Sequence, residues 1–492
     1  MARRTQRAVI AGAGLGGLAL ALRLAARGWQ VTVCEQADAP GGKMNRWVSH
    51  GFSFDTGPSL LTLPWVFEEL FAAAGEKLHE HLRLVRMPTL GRYVYDDGAA
   101  FTYTANLPEW LDTLRAIGPR DADGFFRFMR LGARLYELSC ETFLRRPVSA
   151  PPDMRVLRAL RHLPFRHAWG NYHRSVAAHF HSPYLRQLYD RYPTFVGSSP
   201  YACPATLLVI PYIEYALGGW YVRGGLHRLV EALIALLEAR KADIRTATPI
   251  TAICHASGRV TGVVTGSGER IPADVVAFNG DAAQAPRLLG RDASPLSRES
   301  SRSLSGLVFL IALGRNLPEL HHHNVYFSAD YPREFDDLFM RRAHPADPTV
   351  YVSIPSRTDR SLVPGAGETL FIMSNAPATD ATAWTDATVA QARRQVFARL
   401  KKSGFPDIDR DIVAETSCTP RTLAERYDMP GGAIYGSHSH GWRGAFYRPP
   451  NADGRIAGLY YVGGSVHPGG GTPTVLQSAA IVDELIKRHE RP

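Results

Sequence analysis

The sequence predicts an α/β fold, and three stretches carry that prediction. Residues 8–35 read as strand, glycine turn, helix, strand and closing acid in unbroken succession. Residues 244–276 read as consecutive short strands joined by glycine turns, and residues 459–486 as strand, glycine-rich loop and helix. Strand and helix patterns that alternate in this way argue for α/β architecture. The chain has 492 residues, 45% apolar and 21% charged, which is ample for several units with sizeable cores. Gly (44) and Pro (34) follow no repeat, which excludes solenoid, collagen-like and low-complexity architectures.

In the first stretch, Ala8-Val9-Ile10-Ala11 suits a buried parallel strand and runs into Gly12-Ala13-Gly14-Leu15-Gly16-Gly17, a GxGxxG. Residues 18–26 have helical composition, Gly28 is placed to end the helix, and residues 29–34 form a second strand that stops at Glu35. This is a Rossmann-like unit. Gly12 allows the tight turn, Gly14 lets backbone approach a pyrophosphate, and Gly17 lets the helix pack on the strand. The helix N-terminus offers free N–H groups and its positive dipole end to phosphates. Glu35, 18 residues beyond Gly17, stands where a carboxylate accepts hydrogen bonds from both ribose hydroxyls.

The residues after Glu35 select the dinucleotide. A plain NAD unit would continue with a helix and a third strand. Here Pro40-Gly41-Gly42-Lys43 and Phe54-Asp55-Thr56-Gly57-Pro58 follow instead. A second glycine turn carrying a cation indicates a chain that doubles back over a longer ligand, FAD, with Lys43 near the pyrophosphate. The C-terminal loop, Gly463 to Val475, leaves room for a flat ring against backbone. Thr472 suits an N-cap and Pro473 the first helical position, so the following helix directs its N-terminus to the flavin edge where charge develops on reduction. The loop has no cysteine, so FAD is expected to be non-covalent. The FAD-binding unit is then discontinuous, comprising 1–85, 216–300 and 441–492. Residues 86–215 are expected to form a substrate-binding and helical, membrane-associated part, and 301–440 a mixed-sheet substrate domain.

Residues 192–213 carry no charge but contain Pro193, Pro200, Pro204 and Pro211. Four prolines forbid a spanning helix, so the run is read as a loop-rich wall facing something apolar. His467 is the one titratable group in the C-terminal loop; it shapes the flavin edge, shuttles a proton, or is packed there by hydrogen bonds. His321, His322 and His323 would point to alternating faces of a strand, and His438 and His440 lack a third ligand nearby, so no metal is expected. Trp220 and Tyr221 either border a substrate tunnel or fill a core.

The five cysteines are scattered without a CxxC pair, which points to a reducing, cytoplasmic compartment. Net charge is +10, but no zinc-finger spacing is present, and nucleic acid is not an expected partner. Residues 145–174 hold seven arginines and one acid, Asp153, interleaved with Leu157, Leu160, Leu163, Phe165 and Trp169. Such a stretch suits the headgroup region of an anionic membrane, and peripheral attachment is the expectation.

Taken together, these residues resemble the bacterial phytoene desaturase family of carotenoid desaturases, FAD-containing relatives of the flavin amine oxidases, along essentially the whole chain. The family-specific anchors are FDTGP (54–58) and HPGGG-x-P (467–473); Gly224-Gly225 is a further one. Residues 191–197 and 199–201 resemble members acting on modified carotenoids, such as hydroxycarotenoid 3,4-desaturases. The resemblance implies that Gly12, Gly14, Gly17 and Glu35 bind the ADP half. Gly42 and Lys43 would lie at the pyrophosphate, the backbone of Ile250 at adenine, and Gly57, Pro58, Gly464, Pro473, Thr474 and Val475 around the isoalloxazine. Many relatives of the wider class carry Arg where Lys43 stands. The implied reaction removes two hydrogens from a C–C bond beside a polyene, with flavin N5 as hydride acceptor and oxygen or quinone as terminal acceptor. A cation beside a polyene is delocalised, so no strong base is required. Two other readings stay open: a flavin amine oxidase or other small-molecule oxidase, and a carotenoid isomerase or carrier with a redox-silent flavin.

Overall fold

The computed structural model describes residues 5–147, 170–380, 383–444 and 448–490. Arg7–Ala11 and Gln30–Cys34 are parallel neighbours, with Ile10 against Val33. The connecting helix, Leu15–Ala26, is made of Leu, Ala and Gly on nearly every face and is buried along most of its length. Such a helix is stable only when covered all round, and it is: the sheet lies on one side and the helices Arg228–Ala239 and Thr472–Glu490 on the other. It begins at Leu15, inside the glycine motif, three residues before the stretch of helical composition.

The five-stranded sheet runs Leu459–Tyr461, Val275–Phe278, Arg7–Ala11, Gln30–Cys34, Asp243–Arg245, every pair parallel. It draws strands from the start, middle and end of the chain. Beside it, Ile250–Ala256, Arg259–Thr265 and Arg270–Pro272 form an antiparallel meander. The expected single strand at 271–276 is two elements. Pro272 ends the meander, and the Asp274 N–H already donates to the Arg7 carbonyl at 2.9 Å, so Val275–Phe278 belongs to the parallel sheet.

A second sheet has seven strands in the order Ile412–Cys418, Ser305–Leu313, Glu368–Ala376, Val350–Ser353, His323–Tyr326, Thr89–Val94, Ala100–Thr104. All neighbours are antiparallel except His323–Tyr326 against Thr89–Val94. Its two faces follow the period of two. Leu307, Phe309 and Ile311 pack with Val396 and Leu400 of the helix Asp386–Lys402, while Val308 and Leu310 face the opposite way, into a cavity.

The helices Leu107–Ile117, Pro119–Ser139, Tyr172–His179 and Pro183–Asp190 close the other side around Trp110, Phe125, Phe128 and Tyr189. Residues 192–213 correct the loop-rich expectation. They form 3-10 turns at Tyr192–Val196 and Ala205–Leu208 and a helical turn at Val209–Tyr212, with Pro193 in the first turn and Pro204 as the cap of the second. Prolines that break a long helix also start short ones. Most of the basic stretch at 145–174, including Arg155, Arg158, Arg161, Arg166 and Trp169, lies outside the described residues. No described helix is long and apolar enough to cross a membrane.

Candidate functional site

The carboxyl ends of parallel strands are where α/β sheets bind ligands, and a cavity of about 790 Å³ opens there. At its floor, Gly12 has φ +110° and its N–H donates to the Cys34 carbonyl at 2.7 Å. A Cβ on Gly17 would lie 2.2 Å from the Gly12 carbonyl oxygen, so the helix can approach the strand only without one. Gly14 caps the helix with no side-chain hydrogen bond, which leaves the first N–H groups of the helix free for an anion.

Glu35 is buried at the rim. Its Oε2 accepts from the Ala13 N–H at 2.7 Å and its Oε1 from the Ala37 N–H at 2.9 Å. Each oxygen keeps a second acceptor direction for a ligand. The Gly41 N–H donates to the Ala13 carbonyl at 2.8 Å and Gly41 bridges Gly14, so the second glycine turn does fold back on the first. Lys43 Nζ donates to the Ile434 carbonyl at 2.5 Å. Burial pushes its ammonium down, Asp281 works against this, and Arg448 adds to it.

The FDTGP segment has a role that the sequence did not disclose. Asp55 accepts from the Leu226 N–H at 2.7 Å and the His227 N–H at 3.0 Å, tying Phe52–Asp55 to the start of Arg228–Ala239. Burial raises the Asp55 carboxyl to about 6 despite these two bonds. Gly57 is then pressed so closely on Lys43 that a Cβ would meet the Lys43 carbonyl oxygen at 1.9 Å. Pro58 and Ser59 follow on the cavity wall.

The C-terminal loop forms the opposite wall. Thr472–Glu490 starts at the cavity, one residue earlier than expected, so Thr472 is helical instead of an N-cap. Gly464, Pro473, Thr474 and Val475 line the cavity with Gly12, Gly14, Glu35, Gly42, Lys43, Gly57, Pro58 and Ile250. Gly17 and His467 do not line it. His467 is buried with its ring against Phe143, and its Nε2 lies 2.7 Å from the Arg146 carbonyl. Burial lowers its pKa, with hydrogen bonds to the Arg146 and Phe143 backbone opposing. His322 and His323 are tied to the hydroxyls of Thr358 and Tyr351. Tyr221 is buried in a core with Trp220 packed against it, and neither borders the cavity.

Sequence reasoning missed Asn279, Asp281 and Arg448. Asn279 follows Val275–Phe278; its Nδ2 donates to the Val462 carbonyl at 2.8 Å, and its Oδ1 is buried without a partner. Cβ atoms on Gly14 or Gly17 would come within 2.8 and 2.9 Å of that oxygen. Arg448 donates to the Tyr435 carbonyl at 2.7 Å, and burial pushes it down to about 10 against the pull of Asp281. The readable signal was a polar Asn-Gly-Asp closing an apolar strand. Arg448 had none.

The far end of the cavity is apolar. Residues 192–213 contribute Phe195, Val196, Leu207, Val209, Ile210 and Ile213, facing Val308, Leu310 and Phe371 of the second sheet. Leu208 points the other way and is wholly buried in the helical core.

Two glycine turns folded on one another, an acid that anchors the first, and a third glycine loop closed by a helix define a flavin-dependent oxidoreductase. Residues 15–482 match the model of the flavin containing amine oxidoreductases, and the chain belongs to that family, with FAD as cofactor. The uncapped N-terminus of Leu15–Ala26, the spare acceptor directions of Glu35 and the glycine floor fit that group. Among individual proteins, it is 37% identical over 505 residues to a hydroxyneurosporene desaturase of Rubrivivax gelatinosus, covering 99% of this chain and 94% of that one. It is 33% identical over 486 residues to a 1-hydroxycarotenoid 3,4-desaturase of Flavobacterium sp., covering 98% and 99%. A redesigned putrescine oxidase shares the fold, with TM-score 0.66 at 14% identity and 99% of both chains covered.

Proposed function

We propose that this chain is an FAD-dependent carotenoid desaturase that introduces a C=C bond into a phytoene-like or hydroxylated carotenoid. One observation carries the reading: the polar glycine cradle and a long apolar chamber are a single cavity, so a flavin and a polyene can meet without water between them. The names of the relatives support the same chemistry. Gly12, Gly14 and Glu35 would hold the ADP half, with Gly17 setting the helix; Gly42 and Lys43 the pyrophosphate; and Ile250 the adenine. Gly57, Pro58, Gly464, Pro473, Thr474 and Val475 would surround the ring, without a covalent link. Bound FAD supplies the hydride acceptor. The chain's own work is alignment and exclusion of water: Val196, Leu207 and Ile210 press the polyene against the sheet, while the Asp55 clamp sets the Gly57–Pro58 backbone.

A small ammonium substrate fits less well, because the far end of the cavity is mostly apolar and Arg191 on its wall repels a cation. The enzyme would reach its substrate from an anionic membrane surface, through the basic stretch at 145–174, and pass electrons to oxygen or quinone. Anaerobic addition of a carotenoid should bleach the flavin absorbance and yield a product two hydrogens poorer. Faster turnover of amines than of every carotenoid tried would overturn the proposal, and an isomerised product with the flavin still oxidised would favour the isomerase.

A further inference from the structure

We propose that the part of the cavity beside Ser59 is a recognition site for a hydroxyl group on the substrate, a few bonds from the bond that is oxidised. This rests on the desaturase reading above and names what that reading leaves open. The apolar chamber contains one cation and one carboxylate, Arg191 and Glu214, where a pure hydrocarbon would need neither. The Arg191 guanidinium lies over the rings of Phe195 at 5.0 Å, Tyr351 at 5.4 Å and Tyr93 at 6.0 Å. Among the described residues its side chain makes a single hydrogen bond, Nη1 to the Tyr93 hydroxyl at 3.4 Å. Most of its five donors are therefore unused.

Glu214 is 3% exposed, and its Oε2 is buried without a hydrogen-bond partner. Arg191 and Glu214 form no ion pair with each other among the described contacts. Burial pushes the Glu214 carboxyl up, while the neighbouring Tyr192 hydroxyl and the Arg191 charge pull it back. His323 repeats the pattern: Nδ1 is joined to the Tyr351 hydroxyl at 2.7 Å, and Nε2 is buried without a partner. Buried polar groups left unpaired are costly, so this cluster is completed by a ligand that brings hydrogen-bonding atoms.

The pairing of donor with acceptor selects the ligand. A hydroxyl both accepts and donates, so its oxygen can take a hydrogen from Arg191 and give its own to Glu214. A ketone or aldehyde gives an ionised Glu214 no hydrogen to accept, a carboxylate is repelled by it, and an ammonium is repelled by Arg191. The location selects the reacting bond. The Tyr351 hydroxyl is 2.7 Å from Ser59 Oγ, and Ser59 directly follows the Gly57–Pro58 segment assigned to the flavin ring. A hydroxyl held here places the nearest C–C bonds of the chain against the ring, so the bond oxidised is the one next to the oxygenated end.

The test compares hydroxyneurosporene with neurosporene, which lacks the hydroxyl, using FAD-loaded enzyme and each substrate in detergent. Wild type should favour the hydroxylated compound in kcat/KM by about 100-fold or more, because the hydrocarbon leaves both charged groups unpaired. The double variant Arg191→Met with Glu214→Leu removes both groups together, and the preference should collapse to within about threefold. If that variant does not retain flavin, Glu214→Gln keeps the shape and should raise KM for the hydroxylated compound several-fold relative to neurosporene. Equal use of both compounds by wild type would overturn the hydroxyl site while leaving the desaturase reading intact. So would equal losses on both in a variant that keeps its flavin. If neither compound reduces the flavin, the desaturase reading itself fails, and this proposal with it.

Discussion

At Glu35, one carboxylate holds two backbone N–H groups and still faces the cavity. Replacing it by alanine removes the ribose acceptors and also releases the Ala13 and Ala37 N–H groups. Each unmade buried bond costs about 1–3 kcal/mol, so Glu35→Ala should weaken FAD retention by about 10- to 100-fold, read from the flavin-to-protein absorbance ratio after gel filtration. An unchanged ratio would show that the ribose is held elsewhere. Gly17→Ala is a stricter case, because its methyl would sit 2.2 Å from the Gly12 oxygen. The helix must back away, and the purified variant should carry no flavin. Gly17 was legible from the motif alone because the close approach is local in sequence. Asn279 was not, since its importance comes from standing at the end of a strand more than 260 residues away from the turn that it touches.

At the scale of elements, the run 192–213 shows what patterning can and cannot say. Its lack of charge marked it as lining something apolar, and the cavity bears that out. Which residues point inward depends on the helical turns, and there Ile210 and Leu208 part company. Ile210→Glu should lower carotenoid turnover more than about 10-fold with flavin still bound. Leu208→Glu should leave the protein insoluble or without flavin, because an unpaired charge in a packed core costs several kcal/mol, on the order of a domain's whole stability. Equal behaviour of the two variants would contradict this division.

A pH effect belongs to the short helix Tyr331–Asp336. Glu334 is buried there and accepts from Ser328 Oγ at 2.7 Å, Thr349 Oγ1 at 2.6 Å and the Thr349 N–H at 3.1 Å. Burial nevertheless raises its carboxyl from the ordinary value of 4.5 to about 7. A raised carboxyl binds its proton more tightly folded than unfolded, so its contribution is full below about 4.5 and is lost as pH rises through about 7. The loss is on the order of 3 kcal/mol. Glu334→Gln cannot ionise, so between pH 5 and 7.5 its Tm should fall less than that of wild type; parallel curves would remove Glu334 as the cause.

At the scale of the whole molecule, a substrate that lives in a bilayer must reach a cavity in a chain that has no described spanning helix. The proposed surface attachment through residues 145–174 would answer this. Each arginine near an anionic surface contributes about 1 kcal/mol, so wild-type protein should float with anionic vesicles, less so in high salt or with Trp169→Ala or Arg158→Glu. Equal recovery of all three proteins in the unbound fraction, with or without vesicles, would reject attachment by this stretch.

The sequence by itself determined the Rossmann-like turn, the acid at Glu35, the second glycine turn and the flavin loop. In each of these the chemistry is set by neighbours within a few residues: positive φ, a free helix N-terminus, a missing Cβ. Only the tertiary structure decided the rest. That the start, middle and end of the chain share one unit was legible too; the strand order within its sheet was not, because no local pattern encodes pairing. Asp55 is a clamp because Leu226 and His227 are folded against it. Arg191 and Glu214 face one chamber because separate turns of the helical layer place them there. A lone arginine or glutamate in a sequence reads as surface; that these two stand together on the wall of one cavity is a property of the packed chain.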